Sequence, residues 1–249
     1  MSNPEKIFSV KNKVVLITGG AGFLGLEYAM VLARAGARVV LLDIVAPEVM
    51  AAKVAGVHRR TGRRPLALGV DITDPARVRH AVRRVIRRYG RIDVLVNNAA
   101  MNPQPQSPES RQQFSPYESY PLELWQKELE VGLSGAFIVT QAVIPAMKRK
   151  RSGAIINIGS IYGEKAPDNR IYRKGKYKSI AYTTIKGAMR NFTRSLASYL
   201  GPYGIRVNQL SLAGVLAGQD RGFVRRHSRT YMLGRMARPE DFEGAMLFL

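Results

Sequence analysis

The pattern that most limits what this chain can fold into is an alternation. Short runs of β-branched and aliphatic residues, apolar on both faces, are separated by longer segments whose apolar residues recur at helical spacing. Val14-Val15-Leu16-Ile17-Thr18 is the first such run. A strand apolar on both sides has to be covered on both sides, and strands separated by helices pair in parallel. The spacing predicts strands at Val14–Thr18, Arg38–Asp43, 65–71, 92–96, 154–160 and 206–212. It predicts helices at 21–35, Pro75–Tyr89, 122–147, 181–200 and 239–249. The expected class is α/β, a doubly wound parallel sheet with helices on both faces. In such sheets a ligand lies beyond the carboxyl ends of the strands, where the winding reverses.

Composition narrows the use of that fold. The 249 residues show no break in composition, so one domain is expected over 1–249. Cysteine is absent, which removes disulfides and thiolate metal sites and suits a reducing cytoplasm. The first residues lack the apolar run of a secretory signal, and no apolar stretch approaches the roughly 20 residues a membrane helix needs. The net charge is +21, yet the arginines are dispersed. Arg77, Arg79, Arg83, Arg84, Arg87 and Arg88 follow one solvated helix face opposite Val78, Val82, Val85 and Ile86. No nucleic-acid-binding motif accompanies them, so neither nucleic acid nor membrane is an expected partner. The histidines His58, His80 and His227 are scattered through basic segments; surface positions are expected for them, and no metal site.

The first strand runs into Thr18-Gly19-Gly20-Ala21-Gly22-Phe23-Leu24-Gly25, with a helix after it. Glycines there permit a tight turn, let backbone N–H groups approach a phosphate, and allow close helix-on-strand packing. Asp43 ends the second strand, where a carboxylate accepts from an adenosine ribose 2′-OH and repels a 2′-phosphate. NAD is therefore expected ahead of NADP. Asp71 and Ile72, after the third strand, are candidates for the adenine pocket.

Tyr182 and Lys186 are four residues apart, on one helix face. An ammonium beside a phenol favours the phenolate, lowering a pKa that starts near 10. A phenol tuned this way exchanges a proton with an alcohol oxygen. Two long connections, 101–121 and 161–180, leave strand ends on the ligand side and are expected over the active site.

Taken in order, these motifs resemble the short-chain dehydrogenase/reductase superfamily. The resemblance covers nearly the whole chain. It is carried by the glycine turn, Asp71-Ile-Thr-Asp74, Asn97-Asn-Ala-Ala100, Ile158-Gly-Ser160, Tyr182-Thr-Thr-Ile-Lys186 and Tyr203-Gly-Ile-Arg-Val-Asn208. It implies a Rossmann-like fold, a nicotinamide cofactor and hydride transfer between NAD(H) and a secondary alcohol or ketone. It implies Tyr182 as acid/base, Ser160 holding the substrate oxygen, and Lys186 binding the nicotinamide ribose. Thr18, Gly19, Gly22, Phe23, Leu24, Gly25, Asn97, Ala99, Gly214 and Val215 join Asp43, Asp71 and Ile72 as expected cofactor contacts. A homodimer or homotetramer is implied as well. The segments Gly159-Ser-Ile-Tyr-Gly163 and Leu233-Gly-Arg-Met-Ala-Arg-Pro-Glu-Asp241 are similar to a gluconate-dehydrogenase-like or flagellin- and nonulosonate-sugar-modifying branch. That likeness implies a sugar, sugar-acid or sugar-nucleotide substrate, and Arg170, Arg173, Lys174, Lys176 and Lys178 would suit a phosphorylated one.

The departures from the family pattern are specific. Gly132 stands where many relatives have an Asn behind the Lys; a helical glycine costs about 1 kcal/mol against alanine and brings no side-chain carbonyl. Phe23 replaces a usual Gly, Leu212-Ala213-Gly214-Val215 replaces a Pro-Gly segment, and the family's seventh strand lies past Leu249. The resemblance therefore implies a C-terminally truncated domain. Two rival readings stay open on these departures: a catalytically weak NAD-binding scaffold, and an NAD-dependent epimerase or dehydratase.

Overall fold

The computed structural model describes residues 8–102 and 110–249. Six strands form one parallel sheet: β1 (Val14–Thr18), β2 (Arg38–Asp43), β3 (Leu66–Gly69), β4 (Val94–Asn97), β5 (Gly153–Ser160) and β6 (Ile205–Leu212). Their spatial order is β3-β2-β1-β4-β5-β6, every pairing parallel. The order reverses between β1 and β4, so the crevice opens above their carboxyl ends.

Period-2 alternation sorts the strand residues onto two cores. Val14 and Leu16 face one side, together with Val78, Val82 and Val85 of α3 (Pro75–Tyr89) and Val139, Val143 and Met147 of α6 (Gly135–Lys150). Leu200 of α7 (Ile180–Leu200) joins them. Val15 and Ile17 face the other side, against α1 (Phe23–Arg34), α2 (Pro47–Thr61) and Met246 of α9 (Glu243–Phe248). Both faces of the sheet are thus closed, as the doubly apolar strands require.

Several boundaries differ from the sequence reading. Helix α2 was not expected, although Pro47 at its first turn and Gly62 as a left-handed cap (φ 70°) mark both ends. The connection 101–121 contains short α4 (Ser110–Gln113) and a 3-10 turn at Tyr117–Ser119; 103–109 lie outside the described residues. Helix α8 (Arg221–Ser228), capped by Asp220, was also not expected.

The long helical stretch at 122–150 is two α-helices, α5 (Leu122–Leu129) and α6, joined by a π-turn at Glu130–Ser134. Against expectation, this stretch of 29 residues, mean hydropathy 1.5 at its most apolar, meets the length and composition of a bilayer-crossing helix. Here its apolar stripe packs on the sheet: Val139, Val143 and Met147 are wholly buried.

Candidate active site

A cavity of about 650 Å³ lies over the carboxyl ends of the strands, lined from Gly19 and Asp43 at one end to Tyr182 and His227 at the other. Its two ends are built by different means.

At the first end the backbone does the shaping. Gly19 adopts φ +60°, and a Cβ there would lie 2.9 Å from the Ala99 Cα. A Cβ on Gly25 would collide with the Gly19 carbonyl oxygen, so Gly25 lets α1 sit directly under the turn. Helices α3, α7 and α8 have side-chain caps in Asp74, Ser179 and Asp220. Helix α1 begins at Gly22 with no side-chain cap, and Gly22, Phe23 and Leu24 line the cavity. An uncapped helix start facing a cavity offers N–H donors and the positive end of the helix dipole to an anion. That arrangement fits a dinucleotide pyrophosphate.

Asp43 also reaches this end. One carboxylate oxygen accepts from the Ala21 N–H (2.9 Å) and the other from the N–H of Ile44 (2.8 Å), so Asp43 ties the glycine turn to β2. Ile72, Ala99, Gly214 and Val215 line the cavity as expected. Asp71 does so while one of its oxygens binds the Thr73 N–H and hydroxyl. Three expected contacts are off the wall. Thr18 is buried, its hydroxyl accepting from the N–H groups of Asn98 and Ala99. Gly25 is beneath the turn. Asn97 points into the sheet, donating to Thr140 Oγ1 and Asn157 Oδ1. Its neighbour Asn98 is the residue at the cavity, because successive strand side chains face opposite ways.

At the other end side chains dominate. Ser160, Tyr182 and Lys186 all line the cavity, so the three expected catalytic groups do come together. Ser160 ends β5, its hydroxyl accepts the Tyr162 N–H (3.2 Å), and it favours the ionised form of the Tyr182 phenol. A Cβ on Gly163 would strike the Lys186 carbonyl; the turn after Ser160 therefore rests on α7 at Lys186. Ser179 caps α7 at the Tyr182 N–H (3.0 Å) and donates to the buried Glu128 carboxylate (2.9 Å), which also binds the Tyr120 hydroxyl.

The electrostatics correct one expectation. Burial raises the Tyr182 phenol above its ordinary pKa, and the neighbouring Ser160 hydroxyl offsets only part of that. The Lys186 ammonium does not reverse it, because it is spent on the Ile158 carbonyl at 2.5 Å and lies 5.5 Å from the Tyr182 ring centre. Burial in turn lowers Lys186 to about 8.

His227 overturns the surface assignment. It is 4% exposed and lines the cavity. Its Nε2 shares a 2.7 Å hydrogen bond with the Tyr231 hydroxyl, which also accepts the Gly214 N–H at 2.8 Å. Tyr162 stands 3.3 Å from the same nitrogen. Burial, then the charges of Lys178 and Lys165, lower His227 to about 4. His58 and His80 are exposed as expected. Among the described residues no three His, Cys, Asp or Glu side chains gather as a metal site.

In the connection 161–180 only Lys178 of the six basic residues lines the cavity, and Lys165 is exposed. Arg170 pairs with Asp168, and Arg173, Lys174 and Lys176 are exposed.

The sequence matches the family model for short chain dehydrogenases over residues 13–223. The chain belongs to the short-chain dehydrogenase family. This short-chain dehydrogenase is 33% identical over 247 residues to the cyclopentanol dehydrogenase of Comamonas testosteroni, covering 96% of this chain and 90% of that protein. Its fold is similar to NAD+-bound xylitol dehydrogenase (TM-score 0.83, 28% identity, 96% and 92% of the two chains). It is similar too to a gluconate 5-dehydrogenase from Burkholderia cenocepacia in complex with NADP and tartrate (TM-score 0.85, 28% identity, 99% and 91%). The chain is an oxidoreductase that acts on CH–OH groups by hydride transfer with a nicotinamide dinucleotide.

Proposed function

We propose that this enzyme oxidises a polyhydroxylated secondary alcohol with NAD, or reduces the matching ketone. Tyr182 is the acid/base: its phenolate takes the proton of the alcohol O–H, becoming the phenol, as the C–H bond gives up its hydride. When bound, the cofactor supplies the hydride acceptor at its nicotinamide ring. Ser160 donates a hydrogen bond to the substrate oxygen while that oxygen becomes a carbonyl. Lys186, fixed by the Ile158 carbonyl, holds a positive charge behind the phenol and meets the nicotinamide ribose. The observation that carries the reading is that Ser160, Tyr182 and Lys186 share one cavity wall with the uncapped start of α1.

Two features support NAD over NADP. Asp43 is a carboxylate at the ribose end, and the cavity residues around it, Phe23, Ile44 and Val45, carry no positive charge. A 2′-phosphate there would meet repulsion and no partner. The polar residues at the opposite end, among them Tyr162, Gln219 and His227, suit a substrate with several hydroxyls. The proposed working form is a homo-oligomer in the cytoplasm. Leu122, Phe137 and Tyr199, exposed on α5, α6 and α7, supply an apolar surface for association.

The test is spectrophotometric: NADH formation from xylitol, glucitol and cyclopentanol, with kcat/KM compared for NAD and NADP. NAD is expected to win by about tenfold or more, and Asp43→Ser to narrow the gap. Equal use of both cofactors by the unaltered enzyme would rule out the cofactor assignment, and no reaction with any alcohol would rule out the catalytic one.

A further inference from the structure

Lys178 has no place in the chemistry above, yet it lines the same cavity. Its ammonium lies 3.7 Å from the centre of the Tyr182 ring and 5.6 Å from that of Phe114. Its one hydrogen bond of 2.9 Å goes to the Asn102 side-chain oxygen, a neutral acceptor. An ammonium has three donors. Among the described residues no carboxylate stands within ion-pair distance of it. The nearby acid, Glu128, is buried behind the wall with its oxygens engaged by Tyr120 and Ser179.

A charge held in a cavity wall without an opposite charge is costly, and an anionic ligand repays that cost. The other lysines on this wall are not available in the same way. Lys186 is turned to the Ile158 carbonyl, and Lys127 sits exposed on α5. The acids on the wall, Asp43 and Asp71, belong to the cofactor end and accept from backbone N–H groups.

We propose that the substrate carries a carboxylate, and that Lys178 binds it beside the carbon whose hydroxyl meets Tyr182. This rests on the redox reading and sharpens its substrate class to a hydroxy acid. A single ammonium between two aromatic rings suits a monoanion better than a phosphate. The remaining cations of the connection, which a phosphate would recruit, face solvent. Burial lowers the Lys178 pKa to about 7; the Glu128 charge behind the wall opposes that shift and Lys186 adds to it.

The test compares matched ligands binding to the NAD-loaded enzyme by titration calorimetry. One pair is gluconate and gluconamide, the other cyclohexanecarboxylate and cyclohexanecarboxamide. In at least one pair the carboxylate should bind roughly 10- to 100-fold more tightly than the amide. Lys178→Met should abolish that preference and Lys178→Arg should keep most of it. Melting temperature and NAD affinity show that each variant is folded, with Lys178→Gln as the substitute if Met is not tolerated. Equal binding of acid and amide, binding of neither, or a preference that survives in Lys178→Met each overturns the proposal. Alcohol oxidation is scored separately. An enzyme that oxidises alcohols but ignores the carboxylate refutes the role of Lys178 alone. One that binds the carboxylate through Lys178 but oxidises nothing refutes the redox reading alone.

Discussion

The two ends of the cavity are made of different materials. The cofactor end is contoured by main chain: at Gly19 and Gly25 the turn, α1 and the segment after β4 come so close that a Cβ would collide. The substrate end is contoured by side chains from β5, α7, α8 and the connection between them: Ser160, Tyr162, Lys178, Tyr182, His227 and Tyr231. A backbone surface fits a ligand common to many enzymes and tolerates no added atom. A side-chain surface is where one enzyme differs from its relatives, and there single groups titrate. Substitutions at the first end should therefore act on cofactor affinity and folding, and those at the second on rate, selectivity and pH response.

The largest expected effect tests the second end. Tyr182→Phe should lower kcat by about 10²–10⁴-fold while leaving NAD affinity within about twofold by fluorescence titration. The pH profile sharpens the point. Phenolate increases with pH toward a raised Tyr182 pKa, while the Lys186 ammonium is lost above about 8. The logarithm of kcat/KM for oxidation should rise with unit slope up to about pH 8 and level off above it. A fall with rising pH would reverse the assigned roles. Next in size is Gly25→Ala. Its Cβ would overlap the Gly19 carbonyl, and overpacking of this kind costs about 1–3 kcal/mol. The melting temperature should drop and the KM for NAD should rise, with kcat at saturating NAD nearly kept. A collapse of kcat with normal NAD affinity would break the division between the two ends.

The smallest effect concerns His227. Its folded pKa is about 4, below the ordinary value of 6.5. As pH falls from about 6.5 toward 4 the unfolded chain takes up a proton that the folded chain refuses, so acid destabilises the native state. His227→Gln should recover about 1–2 kcal/mol of the stability lost between pH 7 and 5, read as a shallower decline in melting temperature. An identical decline in both proteins would place His227 in a solvated setting. Either result sharpens the account of the substrate end.

The same division explains what the sequence disclosed. Parallel sheet, glycine turn, Asp43 and the Ser160–Tyr182–Lys186 group were legible because each sits at a strand end or at a fixed helical interval. The motif Asn97-Asn98-Ala99 does not state which side chain faces up, and in the structure it is Asn98 that lines the cavity. His227 was hidden because Arg225 and Arg226 make its surroundings read as surface. The available signal was the spacing of Phe223, His227 and Tyr231, an aromatic stripe at every fourth residue, whose rings meet edge-on and tilted in the structure. The Tyr182 pKa was misjudged because burial, which spacing does not reveal, outweighs the neighbouring charge.

Gly132 gives one more consequence. It is buried in the π-turn, and a Cβ there would lie 2.9 Å from the Ile185 Cγ2, one residue before Lys186. A larger side chain at this point would press on the isoleucine, so Ile185 would have to shift to admit it. Substitutions at 132 and 185 are therefore coupled, and the strain of the first falls on the residue next to Lys186.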